Sequence, residues 1–272
     1  MSGGIARTYR LISILSLDVV AGAVVCALFF MKVLQTQFAY SIIPLALTVW
    51  IIYTVDHLMD ARRISHAASS PRHHFHQQHF AQLRIALLVA AILDVASLLL
   101  VSRAVIMGGM FLAVLVLVLI FMLRKLPWLR EIVVSVLYTC GVLLPSIAQA
   151  RIAYTIAHSL LFVQFSLVAL TNLLLLSWLD RETDFRDGLT SFTLIAGQRM
   201  SQVLIWTSFA LVMVITLAEI YYGTLTRASL IVGAMEVVLL FIYAGKQRPD
   251  RLLLQRMIGD GVFIMPALYL IL

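Results

Sequence analysis

Four aspartates, arranged as two pairs, are the residues of this sequence best suited to chemistry. Asp56 and Asp60 end an apolar run in "IYTVDHLMDARR", and Asp180 and Asp184 recur with the same spacing in "LDRETDFRDG", 124 residues later. Like charges four residues apart on a helix repel each other, so four converging carboxylates need a cation. Carboxylate oxygens, together with water and phosphate, are typical ligands of Mg²⁺. The pattern therefore predicts a Mg²⁺ site made by all four aspartates and a phosphorylated substrate.

Composition identifies the elements that position these residues. Of the 272 residues 62% are hydrophobic and 12% are charged, and the mean hydropathy is +1.01, which excludes an ordinary soluble domain. At about 20 residues per crossing, the sequence predicts a single all-α domain over residues 1–272, with two pseudo-repeated parts that each carry one Asp pair. The nine predicted membrane spans lie near residues 11–34, 38–60, 82–102, 104–123, 131–149, 157–180, 200–221, 226–244 and 254–272.

The basic residues predict the orientation. All Lys and Arg residues except Lys32, Arg103, Arg151 and Arg227 fall in the N-terminal segment or in the loops after even-numbered spans. Because cytoplasmic loops carry the positive excess, we expect a cytoplasmic N-terminus and cytoplasmic Asp pairs in a cell (inner) membrane protein. The net charge of +7 is then a topology signal, and no nucleic-acid partner is needed.

A phosphorylated substrate also needs basic groups on the same face. Lys125 is the preferred candidate for binding phosphate oxygens, with Arg63 and Arg181 beside the two Asp pairs. The simpler interpretation is that these residues, like most basic residues here, reflect only the charge bias of cytoplasmic loops. For the aspartates, the corresponding simpler interpretation is a set of solvated helix ends.

The two motifs and the number of spans resemble the UbiA superfamily of intramembrane prenyltransferases. Asp56 and Asp60 match the last two aspartates of its first motif, N-D-x-x-D-x-x-x-D. The stretch "DRETDFRDGLTSFTLIAG" is similar to its second motif, and residues 121–125 are similar to its Tyr-x-x-x-Lys element. Ile52 stands where the family has Asn, and Phe121 where it has Tyr.

The resemblance implies an enzyme that transfers a prenyl group from an isoprenyl diphosphate to a lipophilic acceptor, such as a quinone precursor, another aromatic compound or a tetrapyrrole. Asp56, Asp60, Asp180 and Asp184 would hold Mg²⁺ against the diphosphate. Lys125, Arg63 and Arg181 would bind its oxygens, and Tyr53, one turn before Asp56, would border the allylic cation or anchor the helix at the interface. The alternative is a non-catalytic membrane subunit or a lipid-, quinone- or pigment-binding protein of the same fold, with a membrane-protein partner.

A histidine-rich loop over residues 61–81 follows the first motif. It contains His66, His73, His74, His76 and His79, three of which recur every third residue. This spacing fits a metal site on a helix, an amphipathic interfacial helix, or a lid in which a histidine or Arg72 meets the substrate.

Acids also lie inside the predicted spans, at Asp18, Asp94, Glu236 and Asp260. Ionisable residues in a membrane bundle face its interior and pair with polar groups. We expect hydrogen bonding of structural importance at these four positions.

Overall fold

The computed structural model describes residues 10–37, 40–123, 126–150, 152–245 and 252–271. These ranges contain helices and turns but no strand, which confirms the predicted all-α class. We number the α-helices in chain order: α1 Leu17–Val33, α2 Ile42–Arg63, α3 Pro71–Gln78, α4 Phe80–Ser97, α5 Arg103–Leu123, α6 Arg130–Ile147, α7 Ile156–Leu179, α8 Arg181–Asp187, α9 Phe192–Ala196, α10 Gln198–Tyr222, α11 Thr226–Ala244, α12 Leu252–Gly261 and α13 Ala267–Ile271. Short 3-10 turns lie at Leu98–Leu100, Pro127–Leu129 and Val262–Ile264.

Seven segments of the described chain are long and apolar enough to cross a bilayer. They are α2, α4 with its 3-10 turn (Phe80–Leu100), α6, α7, α10, α11 and Leu254–Ile271, which combines most of α12 with α13. The two other predicted spans coincide with α1, which has 17 residues, and α5. Helix α1 alone measures about 25 Å at 1.5 Å per residue. The fold is therefore that of a multi-pass membrane protein in a lipid bilayer.

Helix α7 forms the centre of the bundle and packs against α6, α10, α11 and α12. Phe165 of α7 contacts Phe30 of α1 edge to face, with ring centroids 5.0 Å apart, and both are fully buried. Helix α1 packs closely on the 3-10 turn after α12, because a Cβ atom at Gly22 would lie 2.8 Å from the Cβ of Phe263. Burial of both faces of α7 explains why its hydrophobic residues show little periodicity.

Two carboxylates in the predicted spans accept hydrogen bonds from neighbouring helices. Asp94 accepts a hydrogen bond from Thr48 at 3.0 Å, and Glu236 accepts one from Thr171 at 2.7 Å. In both cases a hydroxyl on one helix binds a carboxylate on another, as expected for acids in a membrane bundle.

Both Asp motifs lie at the same end of the helix bundle. The loop after α2 is bonded to α8, where the backbone N–H of Ser69 donates to Asp187. The turn Pro127–Leu129 before α6 packs against α9. We call this end, which carries residues 60–72, 130–131 and 180–191, the acidic end. At the opposite end, Lys32 donates to the backbone carbonyl of Tyr269 at 2.7 Å.

Candidate functional site

The first Asp pair lies on the last two turns of α2. Asp56 is exposed, on the same helix face as Ile52 and Met59, which are 53% and 48% exposed. Asp60 is half-buried, and its carboxylate lies 3.5 Å from the guanidinium of Arg63. Because the Arg63 side chain is 64% exposed, this pair contributes little to stability. The residues leave one face of α2 open, with a carboxylate at the edge of an apolar strip.

The second Asp pair lies at a sharp corner between α7 and α9. Asp180 ends α7 and precedes the short α8, which ends at Gly188 with a φ of 68°, a conformation that favours glycine. The backbone N–H of Leu189 returns to the Asp184 carbonyl at 2.9 Å. Burial raises the pKa of the Asp184 carboxyl to about 6, against the opposing effects of the adjacent Ser191 hydroxyl and of Arg130.

Arg130 is a cation whose charge acts on aspartates of both motifs. Its charge acts on Asp56 and Asp60 from α2 and also on Asp184 from α8, and Asp60 and Asp184 act on each other. Its guanidinium also donates to the neighbouring Glu131 at 2.9 Å. The charge of Arg130, at the start of α6, thus acts on three of the four predicted aspartates.

The fourth aspartate has a different partner. Asp180 forms an ion pair with Arg256 of α12, and both side chains are 22% exposed. Its carboxylate is therefore engaged by a guanidinium, whereas the sequence predicted that it would face the other three aspartates across a metal ion.

The predicted basic residues are distributed unevenly around this group. Arg63 lies at the acidic end beside Asp60, and Arg181 is exposed at the start of α8. Lys125, the preferred candidate, lies outside the described residues. Sequence reasoning did not single out Arg130, for which the only signal was its place directly after "LPWL", at the start of an apolar helix.

Asp187 anchors the histidine-rich loop to the second motif. Its two carboxylate oxygens accept the Ser69 N–H at 2.9 and 3.1 Å, and the His66 Nε2 lies 3.4 Å away. Burial raises the pKa of Asp187, but the hydrogen bonds from Ser69, with those from His66 and Ser70, outweigh it and hold the pKa below its ordinary value. Asp187, the third aspartate of the second motif, thus holds the loop against α8, and we call this contact the latch.

The loop then forms α3, which packs against α2 with the His76 side chain turned inward. Ser70 caps this helix by accepting the His73 N–H at 3.1 Å, and Pro71 occupies the first turn. His76 is 1% exposed, and its ring lies 5.1 Å from that of His57 on α2. A helix at this position is common to the three predicted arrangements, and the choice among them stays a prediction.

A second polar group lies beneath α3, inside the bundle. Arg72 inserts from α3, with its Nη1 3.4 Å from the Nε2 of His57 and its Nη2 3.9 Å from the Oδ2 of Asp260. His57 Nε2 also lies 3.3 Å from the hydroxyl of Ser16, a residue with a φ of 56°. Left-handed backbone at a buried serine is uncommon, and here it directs the hydroxyl to this group.

Tyr53 lies between the two polar groups. Its ring centroid is 6.2 Å from that of His57, and the charges of Asp56 and Asp260 both act on its hydroxyl. The structure therefore places this predicted site residue beside the first motif and against the buried group.

The described residues contain no protein-only metal site with three ligands. No three of their His, Cys, Asp and Glu side chains are grouped closely enough to hold a metal. Mg²⁺ usually keeps several waters and takes one or two carboxylates plus substrate phosphates. Asp60 and Asp184, one from each motif, match that requirement.

Comparisons of the chain with protein-family models, curated proteins and solved structures give no match.

Proposed function

We propose that this protein binds an isoprenyl diphosphate together with Mg²⁺ at the acidic end and transfers the prenyl group to a lipophilic acceptor. The observation that carries the proposal is that the charge of one arginine, Arg130, acts on both Asp60 and Asp184, which come from two distant motifs. A structural role alone does not require carboxylates from both motifs to share one cation. The proposal also rests on the resemblance of both motifs to the UbiA superfamily.

Each part of the substrate has a matching part of the site. Asp60 and Asp184 would hold Mg²⁺, which supplies positive charge to the diphosphate oxygens. Arg130 and Arg63 would bind the remaining oxygens through charge-assisted hydrogen bonds. The exposed apolar strip that includes Ile52 would contact the prenyl chain.

The reaction breaks the bond between the first prenyl carbon and the diphosphate oxygen, and the diphosphate leaves with the electron pair. A new bond joins that carbon to the acceptor, which loses a proton. Arg130 and Arg63 stabilise the charge that develops on the leaving diphosphate. The apolar helices exclude water from the allylic carbon, because water would otherwise capture it.

The proposal includes the membrane topology. In it, α1 and α5 cross the bilayer with the seven long segments, which gives nine spans in a UbiA-like arrangement. The acidic end and the N-terminus then face the cytoplasm, in agreement with the positive residues there.

The test is binding and turnover of labelled geranyl, farnesyl and geranylgeranyl diphosphate by the purified protein in nanodiscs, with and without Mg²⁺. We expect Mg²⁺-dependent binding that falls at least about tenfold in Asp60→Asn and in Asp184→Asn, since each removes one ionised ligand. Glu182→Gln is the matched control, because Glu182 is exposed on α8 and pairs only with Arg186 among the described residues. Equal binding by wild type and both Asp variants would refute the proposal.

One observation favours a second function. The ion pair of Asp180 with Arg256 and the latch of Asp187 give two aspartates of the second motif structural roles. A non-catalytic lipid-, quinone- or pigment-binding subunit of the same fold would retain these contacts. It would bind a lipophilic ligand or a membrane partner without Mg²⁺ and without turnover.

A further inference from the structure

Five charged side chains from distant parts of the sequence meet beneath α3. Asp18 comes from the first turn of α1, Arg72 from α3, Asp180 from the end of α7, and Arg256 and Asp260 from α12. Asp18 and Asp260 are 3% and 5% exposed, and their charges act on each other and on Arg256. We call these five residues the buried charge cluster.

The cluster carries an excess negative charge, since three carboxylates face two guanidinium groups among the described residues. The neighbouring histidines do not compensate for it. An arginine can only donate, so the Nε2 of His57, 3.4 Å from Arg72, accepts, and its ring is neutral. Burial, with the charges of Arg256 and Arg72, lowers the pKa of His73 to about 4, and burial lowers the pKa of His76 as well.

Among the described residues, the cluster also leaves buried polar atoms unpaired, namely one donor, the Nε of Arg256, and three acceptor oxygens. Three buried oxygens, Asp18 Oδ2, Asp260 Oδ2 and Asn172 Oδ1, have no hydrogen-bond partner in the described part of the chain. The 3.9 Å from Asp260 Oδ2 to Arg72 is too long for a hydrogen bond. Asn172 lies beside Asp260, at a close approach of α7 and α12 where a Cβ on Gly259 would be 3.2 Å from the Asn172 oxygen. Buried acceptors without donors are costly, so these atoms indicate a missing ligand.

We propose that the buried charge cluster binds one proton, carried by Asp260. A proton supplies one positive charge, which offsets the excess negative charge, and it turns one carboxylate acceptor into a donor that a neighbouring acceptor oxygen can use. A phosphate would meet three carboxylates. A metal ion would meet two guanidinium groups, and the described residues contain no group of three metal-binding side chains.

Proton binding is coupled to the position of α3. Asp260 is the carboxylate that faces Arg72, so its protonation removes an attraction that holds α3 on the bundle. Among the described residues, the titratable and charged groups that act on Asp260 or feel its charge are Asp18 on α1, Tyr53 on α2, Arg72 on α3, Tyr138 on α6 and Arg256 on α12. His57 and His73 face Arg72 and Arg256, and Asp180 pairs with Arg256. Glu236, on the adjacent α11, bonds to Thr171 on α7. The site needs neither Mg²⁺ nor a diphosphate, so it goes beyond the proposed function.

The experiment is pH-difference infrared spectroscopy of the protein in nanodiscs, with the carbonyl band of protonated carboxyls as the readout. We expect a titrating band that Asp260→Asn removes or moves. Arg72→Gln should shift its midpoint up by about one pH unit or more, and Asp18→Asn should shift it down, since each changes a charge that acts on Asp260. Asp94→Asn, which removes a membrane carboxyl bonded to Thr48, is the control and should leave the midpoint unchanged.

Two results would overturn the inference: no titrating carboxyl band, or a midpoint that does not move in Arg72→Gln and Asp18→Asn. Asp260→Glu keeps the carboxyl and should retain a titrating band, so loss of the band in Asp260→Asn together with retention in Asp260→Glu excludes misfolding as the cause. Because none of these measurements uses Mg²⁺ or an isoprenyl diphosphate, their outcome is independent of the test of the proposed function.

Discussion

Replacement of Asp187 by Asn should release the histidine-rich loop from α8 without unfolding the bundle. The Asp187 side chain is 1% exposed, and both of its oxygens accept the Ser69 N–H. Asparagine keeps the size but places an amide N–H₂ where one acceptor stood. A hydrogen bond to a charged group contributes about 1.5–3 kcal/mol. Loss of about 2 kcal/mol would raise the population of the open loop roughly 30-fold.

Hydrogen–deuterium exchange of residues 64–79, followed by mass spectrometry in nanodiscs, measures this opening. The Ser69 amide should exchange roughly 30-fold faster in Asp187→Asn, while the amides of α7 stay protected. Glu182→Gln, on the exposed face of α8, should exchange like wild type. Unchanged exchange at residues 66–70 in Asp187→Asn, or an equal increase in Glu182→Gln, would refute the latch.

Two further predictions concern packing and pH. Gly22→Ala should lower the unfolding free energy by about 1–3 kcal/mol, because its Cβ would lie 2.8 Å from Phe263. Gly141→Ala is the control and should cost far less, because a Cβ there would have nothing within 4 Å. Equal thermal denaturation midpoints of the two variants in detergent would contradict this prediction. Docking of α3 should weaken as the pH falls from 6.5, the ordinary pKa of histidine, towards about 4, the pKa of docked His73. Between these two pH values, His73 binds a proton when α3 is undocked but not when it is docked. At about 1.4 kcal/mol per pKa unit, the docking free energy of α3 falls by about 3 kcal/mol. Proteolysis of the loop at graded pH measures it, and His73→Gln should flatten the dependence; an equally steep profile in that variant would exclude His73 as the cause.

The second acidic motif shows how far local pattern predicts a site. Spacing alone correctly placed Asp180, Asp184 and Asp187 at one helix end, because a charged run after 20 apolar residues must leave the membrane. The spacing did not distinguish the roles of these three aspartates. Asp180 pairs with Arg256, the charge of Arg130 acts on Asp184, and Asp187 holds the loop. These partners come from helices far away in the sequence, so no local signal distinguishes the three carboxylates.

Hydropathy by itself determined that this protein is an all-α membrane bundle, because backbone groups in lipid must be satisfied within helices. The spacing of the aspartates determined which helix ends carry the candidate site residues. Only the tertiary structure decided that the charge of Arg130 acts on both motifs and that Arg72 reaches Asp260 beneath α3. The physical reason is that an ion pair depends on the distance between side chains in three dimensions, and the packing of α1, α7 and α12 sets that distance.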